Sequence, residues 1–298
     1  MSMTWGTKPI MQDAGTIVNV VTDDFNTVQN PTTTVYAANT HGDIVLFQGD
    51  GIPLKNLFVG NGSRPSVIAY ADDSLFALPN GAVDNFQIIK LAGGSFTPFP
   101  VNDGGTPAML GGGQWLYMAY PGAVMRSNGQ PGSWMPITPP VSPGNNPGNS
   151  KTFAANKNTI FGILPDNTVT MYQSGTTWTT IRSQATAHII AGGDLLCAID
   201  ASTGDIFKFN GPGQPWTQIG GPGKMFAIGD GGELYGLVPN GSEVVQWNGQ
   251  PGSWSVVGPT AAGMIFAGGG LLCATSPDNQ ALWCYRQELE VLTFNAGV

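Results

Sequence analysis

MFAIGDGGELYGLVPNGSEVVQWNGQPGSWSVVG, residues 225–258, decides the fold because it recurs. Residues 189–221 read IIAGGDLLCAIDASTGDIFKFNGPGQPWTQIGG, and residues 264–287 read MIFAGGGLLCATSPDNQALWCYRQ. The shared plan is an apolar run, a Gly-rich turn, a second apolar run, a Pro/Asn/Gly turn and an alternating run. Asn-Gly and a Trp then close the unit. Each apolar run is short and bounded by turn residues, so each reads as a strand. Four short strands per unit, repeated in tandem, predict the blades of a β-propeller.

The closing aromatic counts the units. Trp178, Trp216 and Trp254 recur every 38 residues. Trp134 precedes Trp178 by 44, the excess falling in the Pro/Asn/Gly-rich insert at 139–150, and Phe96 lies 38 before Trp134. HGDIVLFQGDG (41–51) aligns with TGDIFKFNGPG (203–213), which puts Leu54 in the same column. A last unit runs from Gly263 to about Asn295, with ELEVLTF as its fourth strand. The expected architecture is therefore all-β: one domain over residues 1–298, a seven-bladed propeller of four-stranded antiparallel blades. With 43 Gly and 23 Pro in 298 residues, few windows could carry a helix. A ring must also close, since exposed strand edges invite aggregation. The opening MSMTWGTKPI carries Trp5 in a context like that of Trp254, and is expected to add a strand to the last blade.

Charged residues make up only 10% of the chain, and the net charge is −8. Buried blade faces explain the first number, leaving polarity to loops of Asn, Ser, Thr, Asp and Gly. The acidic balance argues against nucleic acid and against an anionic membrane surface. No run of eighteen apolar residues suggests membrane insertion. The start lacks a basic stretch followed by an apolar core, so the sequence reads as cytoplasmic, with non-classical release left open. The three cysteines form no disulfide framework. Cys197 and Cys273 share a second-strand column with Gly236, Gly162, Ala77 and Met118. Cys284 falls in a third strand near Cys273, and a reduced pair is the simpler expectation.

Catalytic chemistry finds little support. His188 falls in a first strand and His41 in a turn, with no nucleophile elbow nearby. Asp72, Asp73, Asp230 and Glu233 are candidate carboxylates for glycoside hydrolysis, but such acids sit in turns where Asp bonds the backbone. GDGGE (229–233) and NDGG (102–105) are too short for a calcium loop, so neither metal nor cofactor is expected.

The loop NGQPGSW (128–134 and 248–254), with NGPGQPW (210–216), first of all links strands three and four. Its amides and neighbouring rings also suit a neutral polar ligand. Sugars bind amides through hydroxyls and stack on aromatic faces, and repetition turns weak sites into avidity. The candidate ligand-binding residues are Asn128, Asn210, Asn248, Trp134, Trp216, Trp254 and Trp247. Asp194 and Asp230, in the Gly-rich turns, are further candidates.

The units W-x-x-I-G-G-P (216–222), G-G-x-L-Y-G-L-x-P-x-G (231–241) and N-G-x-P-G-S-W resemble repeats of the tectonin and tachylectin-2 group of β-propeller lectins. That resemblance implies multivalent carbohydrate binding without catalysis, often in innate defence, with glycans as partners. The seven units here depart from the six of tectonins and the five of tachylectin-2. The competing readings are a propeller platform for a protein partner and, more distantly, a glycoside hydrolase or lyase. Homo-oligomerisation is left open.

Overall fold

The computed structural model describes residues 9, 11–12, 16–22, 34–47, 55–59, 67–72, 74–78, 87–92, 95–100, 108–120, 123–139, 153–258 and 261–286. These residues form seven four-stranded antiparallel sheets and no helix. In chain order the blades occupy residues 17–58, 67–100, 108–136, 153–182, 186–220, 225–258 and 265–286. Six are simple meanders of four consecutive strands. In the seventh, Met11–Gln12 pairs antiparallel with Ala281–Arg286 and takes the outermost place. Met11 faces Leu282 and Gln12 faces Ala281, so the first and last described strands share one sheet. Trp5, Leu54 and ELEVLTF lie outside the described residues.

Why these strands stack is visible in their cores. Among the described residues seven hydrophobic clusters occur, and each joins two neighbouring blades. Ile17, Val35 and Val45 of blade 1 pack with Leu271, Cys273 and Leu282 of blade 7, completing the cycle. A blade thus has no core of its own and depends on both neighbours. The first strands touch one another round the whole ring, blade 1 meeting blade 7, which makes them the innermost layer.

That inner circle is tight, and it selects small residues. A Cβ on Gly112 would lie 2.6 Å from the Asn156 carbonyl oxygen in the next blade, and one on Gly192 would lie 2.7 Å from that of Ile228. The adjoining turns of blades 2, 3, 5 and 7 place Asp72, Gly113, Gly193 and Gly269 at positive φ, between 47° and 53°. Glycine takes that conformation without strain.

The small second-strand column also holds: Cys197 and Cys273 are fully buried in strands matching those of Gly236, Gly162, Ala77 and Met118. Burial pushes the free Cys197 thiol up to about 12. Cys273 and Cys284 correct the expectation of a reduced pair. They face each other directly across adjacent strands, Cα atoms 4.0 Å apart, and their sulfurs are bonded. The spacing matches the close, non-hydrogen-bonded pairs of an antiparallel ladder, where side chains approach most nearly.

Candidate functional site

In a four-stranded meander the one–two turn and the three–four loop emerge at the same end. One face of the ring therefore carries two concentric sets of loops. The inner set holds Asp72, Asp194 and Asp230; the outer set holds NGQPGSW and its relatives. His41, in a two–three turn, belongs to the opposite face, and His188 lies in a first strand.

The outer loops of blades 3 and 6 have one geometry. The Asn128 N–H donates to the Ser133 carbonyl at 3.2 Å, and the Ser133 N–H donates to that of Gln130 at 3.1 Å. The matching bonds from Asn248 to Ser253 and from Ser253 to Gln250 are both 3.0 Å. Gly129 and Gly249 adopt φ of 86° and 83°, and Gly132 and Gly252 adopt 74° and 72°, so Asn-Gly and Pro-Gly are required by the backbone.

The Asn side chains close these loops from within. Asn128 Nδ2 donates to Ser133 Oγ at 2.6 Å, and its Oδ1 accepts from the Gln130 N–H at 3.1 Å. Asn248 Nδ2 reaches Ser253 Oγ and Ser255 Oγ at 3.1 and 2.9 Å. In blade 5, Asn210 Nδ2 donates to the Pro215 carbonyl and Thr217 Oγ1, while Lys208 Nζ donates to its Oδ1. The three asparagines are exposed, yet each amide nitrogen already donates across its own loop, twice in Asn210 and Asn248 and once in Asn128. What the loops leave open is glutamine. Gln130, Gln214 and Gln250 are exposed, and their side-chain amides make no hydrogen bond among the described residues. Sequence reading passed over them because Gln, unlike Asn-Gly or Pro-Gly, carries no turn signature.

The tryptophans serve the joints between blades. Trp178, Trp216 and Trp254 each donate their indole N–H to a carbonyl of the preceding blade, at Ile137, Ile181 and Ile219, at 2.5, 2.7 and 2.8 Å. Trp134 packs edge-on against Phe99 of blade 2, ring centroids 5.7 Å apart. A buried indole needs an acceptor, and the outer rim, where blades diverge, has room for a large ring. Trp247 faces Trp254 across the ladder and donates its N–H to the Gln250 carbonyl at 2.8 Å, bracing the loop tip.

The inner turns are linked blade to blade. Lys157 Nζ pairs with Asp194 Oδ2 at 2.5 Å, and Asn158 Nδ2 donates to Asp194 Oδ1 at 2.9 Å. Those donors hold the exposed Asp194 carboxyl below the usual carboxylate range. Asp230 Oδ2 accepts the Gly269 N–H of blade 7 at 2.6 Å. Asp230 is open to water, but the protein wall beside its carboxyl raises it above the ordinary value, and Glu233 adds to the rise against the Gly269 bond. The structure therefore separates the sequence candidates into inner acids and outer amides and rings. Among the described residues, no group of three or more His, Cys, Asp or Glu is placed to hold a metal ion. No described helix is long and apolar enough to cross a membrane.

Seven blades, an innermost ring of first strands and a shared loop face define a seven-bladed β-propeller. No protein-family model and no curated protein matches the chain. Solved structures do. YCF48 bound to D1 peptide matches with a TM-score of 0.66 at 11% identity, covering 97% of this chain and 99% of that one. A catalytically inactive virginiamycin B lyase from Staphylococcus aureus, with quinupristin, matches at 0.64 and 11%, over 93% and 96%. The CRINKLY WD40 ectodomain of an Arabidopsis thaliana receptor kinase matches at 0.59 and 10%, over 93% and 99%. At such identities the likeness is one of fold alone.

Proposed function

We propose that this chain is a non-catalytic, multivalent binding propeller whose ligands are neutral glycans held at the tips of the outer loops. One observation carries the reading: blades 3 and 6 present the same internally bonded loop with an exposed, uncommitted glutamine at its tip, and blade 5 presents a close variant. A primary amide supplies two donors and an acceptor, the set that sugar hydroxyls use. A loop already closed by its Asn amide loses little entropy on binding. Repetition on a rigid ring supplies the avidity that shallow sites need. The resemblance to tectonin-type lectins supports the same class.

The second reading, a platform for a protein partner, draws on the YCF48 neighbour, which holds a peptide. A glycan-array screen separates the two. Neutral oligosaccharides are expected to bind, with signals unchanged by EDTA and little changed between low and moderate salt. An empty array beside recovery of a specific peptide would favour the platform. Binding abolished by EDTA, or falling tenfold with salt, would exclude the proposed loop chemistry.

A further inference from the structure

Two arginine side chains are described, and they are solved differently. Arg182, nearly buried, lies over the rings of Phe207 and Trp216, its guanidinium carbon 4.5 and 5.5 Å from their centroids. Its N–H groups are satisfied: Nε donates to Thr186 Oγ1 at 3.1 Å and Nη2 to Asp200 Oδ2 at 3.0 Å. Arg126, in the third strand of blade 3 (Ala123–Ser127), has the same aromatic walls. Its guanidinium carbon lies 4.2 Å from the Trp115 centroid and 5.7 Å from that of Tyr172 in blade 4. Yet it has no carboxylate partner and no hydrogen bond among the described residues. Beside it is a second uncommitted group. Tyr117, directly opposite Arg126 in the ladder, is 1% exposed, and its hydroxyl has no hydrogen-bond partner among the described residues. Such orphans are rare in folded proteins.

We infer that the seam between blades 3 and 4 is a binding site for a small carboxylate-bearing ligand, received by the Arg126 guanidinium between Trp115 and Tyr172, with the Tyr117 hydroxyl as a further donor. Arg126 and Trp115 are each half-buried, so the site opens to solvent while its back wall is dry. The stacked rings hold the guanidinium plane in place, and its planar fork matches a carboxylate through two parallel N–H···O bonds. Arg182 with Asp200 shows that this chain completes such an aromatic-walled guanidinium with a carboxylate of its own; at Arg126 that place is left for a ligand. Burial pushes the Tyr117 phenol up to about 12, with the Arg126 charge working against the rise, so at neutral pH it is a donor. The inference goes beyond the loop-tip reading and is independent of it, since Arg126 takes no part in the outer loops.

The test is calorimetric titration of the folded protein at constant ionic strength with glucuronate, with its neutral methyl ester, and with the α-amide of N-acetylglutamate, whose one carboxylate is that of the side chain. Saturable binding of either acid, absent for the ester, supports the site, and the tighter acid says whether a sugar or a peptide side chain is its source. Arg126→Gln is expected to weaken the better acid about tenfold or more, the scale of a charged hydrogen bond. Arg126→Lys, which keeps the charge and loses the fork, is expected to fall between and guards against a misfolded Gln variant. Acids that bind no better than the ester, or an Arg126→Gln protein that binds like the wild type, would overturn the inference.

Discussion

Trp216→Ala is expected to lower the unfolding free energy by about 3 kcal/mol, the low end for deleting a large ring, because this one is only half-buried. Two losses combine. The ring leaves the cluster between blades 4 and 5, where it packs with Phe209 at 5.1 Å and under Arg182. The Ile181 carbonyl loses the indole N–H that tied the blades together. Trp216→Phe separates them, since it keeps most of the ring and removes only the donor, at about 1 kcal/mol. Denaturant melts of the two variants check the split. Equal losses would mean that the hydrogen bond dominates and ring packing is secondary.

Removing residues 1–12 is expected to lower the melting temperature by several degrees. The deletion strips Met11–Gln12 from blade 7 and exposes the edge of Ala281–Arg286. A bare edge loses ladder hydrogen bonds and offers a template for pairing with a second chain. It also unties the first described strand from the last, in a ring where each blade depends on both neighbours. Removing only residues 1–10 leaves the pairing residues in place and is expected to cost much less. Thermal melts and light scattering of both truncations distinguish them; equal melting would show that the pairing at Met11 and Gln12 contributes nothing.

Much of this architecture was legible in the chain because a blade is a local unit. The columns of Trp134, Trp178 and Trp254 fall within fourth strands, Trp216 immediately precedes one, and the strand-two column of Cys197 and Cys273 is as expected. What the repeat could not reveal is what passes between units. The bond from Trp254 to Ile219 spans 35 residues and depends on how two blades splay. The bonding of Cys273 to Cys284 depends on a register set by the turn at 276–280, where an alignment of columns says only that both lie in one blade. Arg126 was hidden for the same reason. In AVMRS it reads as an ordinary polar residue of a third strand, and only the approach of Tyr172 from blade 4 makes it part of a site. The asparagines were conspicuous for their turn chemistry, which is the role their hydrogen bonds serve, whereas Gln130 and Gln250 had nothing to mark them.

The most direct measurement of the loop-tip proposal is paired: melting temperature and glycan titration on Asn248→Ala and Gln250→Ala, using a neutral oligosaccharide found by array. Asn248→Ala removes the amide that closes the loop and should lower the melting temperature, leaving the affinity of the folded protein within about twofold. Gln250→Ala should melt like the wild type and lose roughly 1 kcal/mol of affinity at its own site, with avidity falling faster as Gln130→Ala is added. Unchanged glycan affinity in both glutamine variants would contradict the account and take the binding site away from the outer loops.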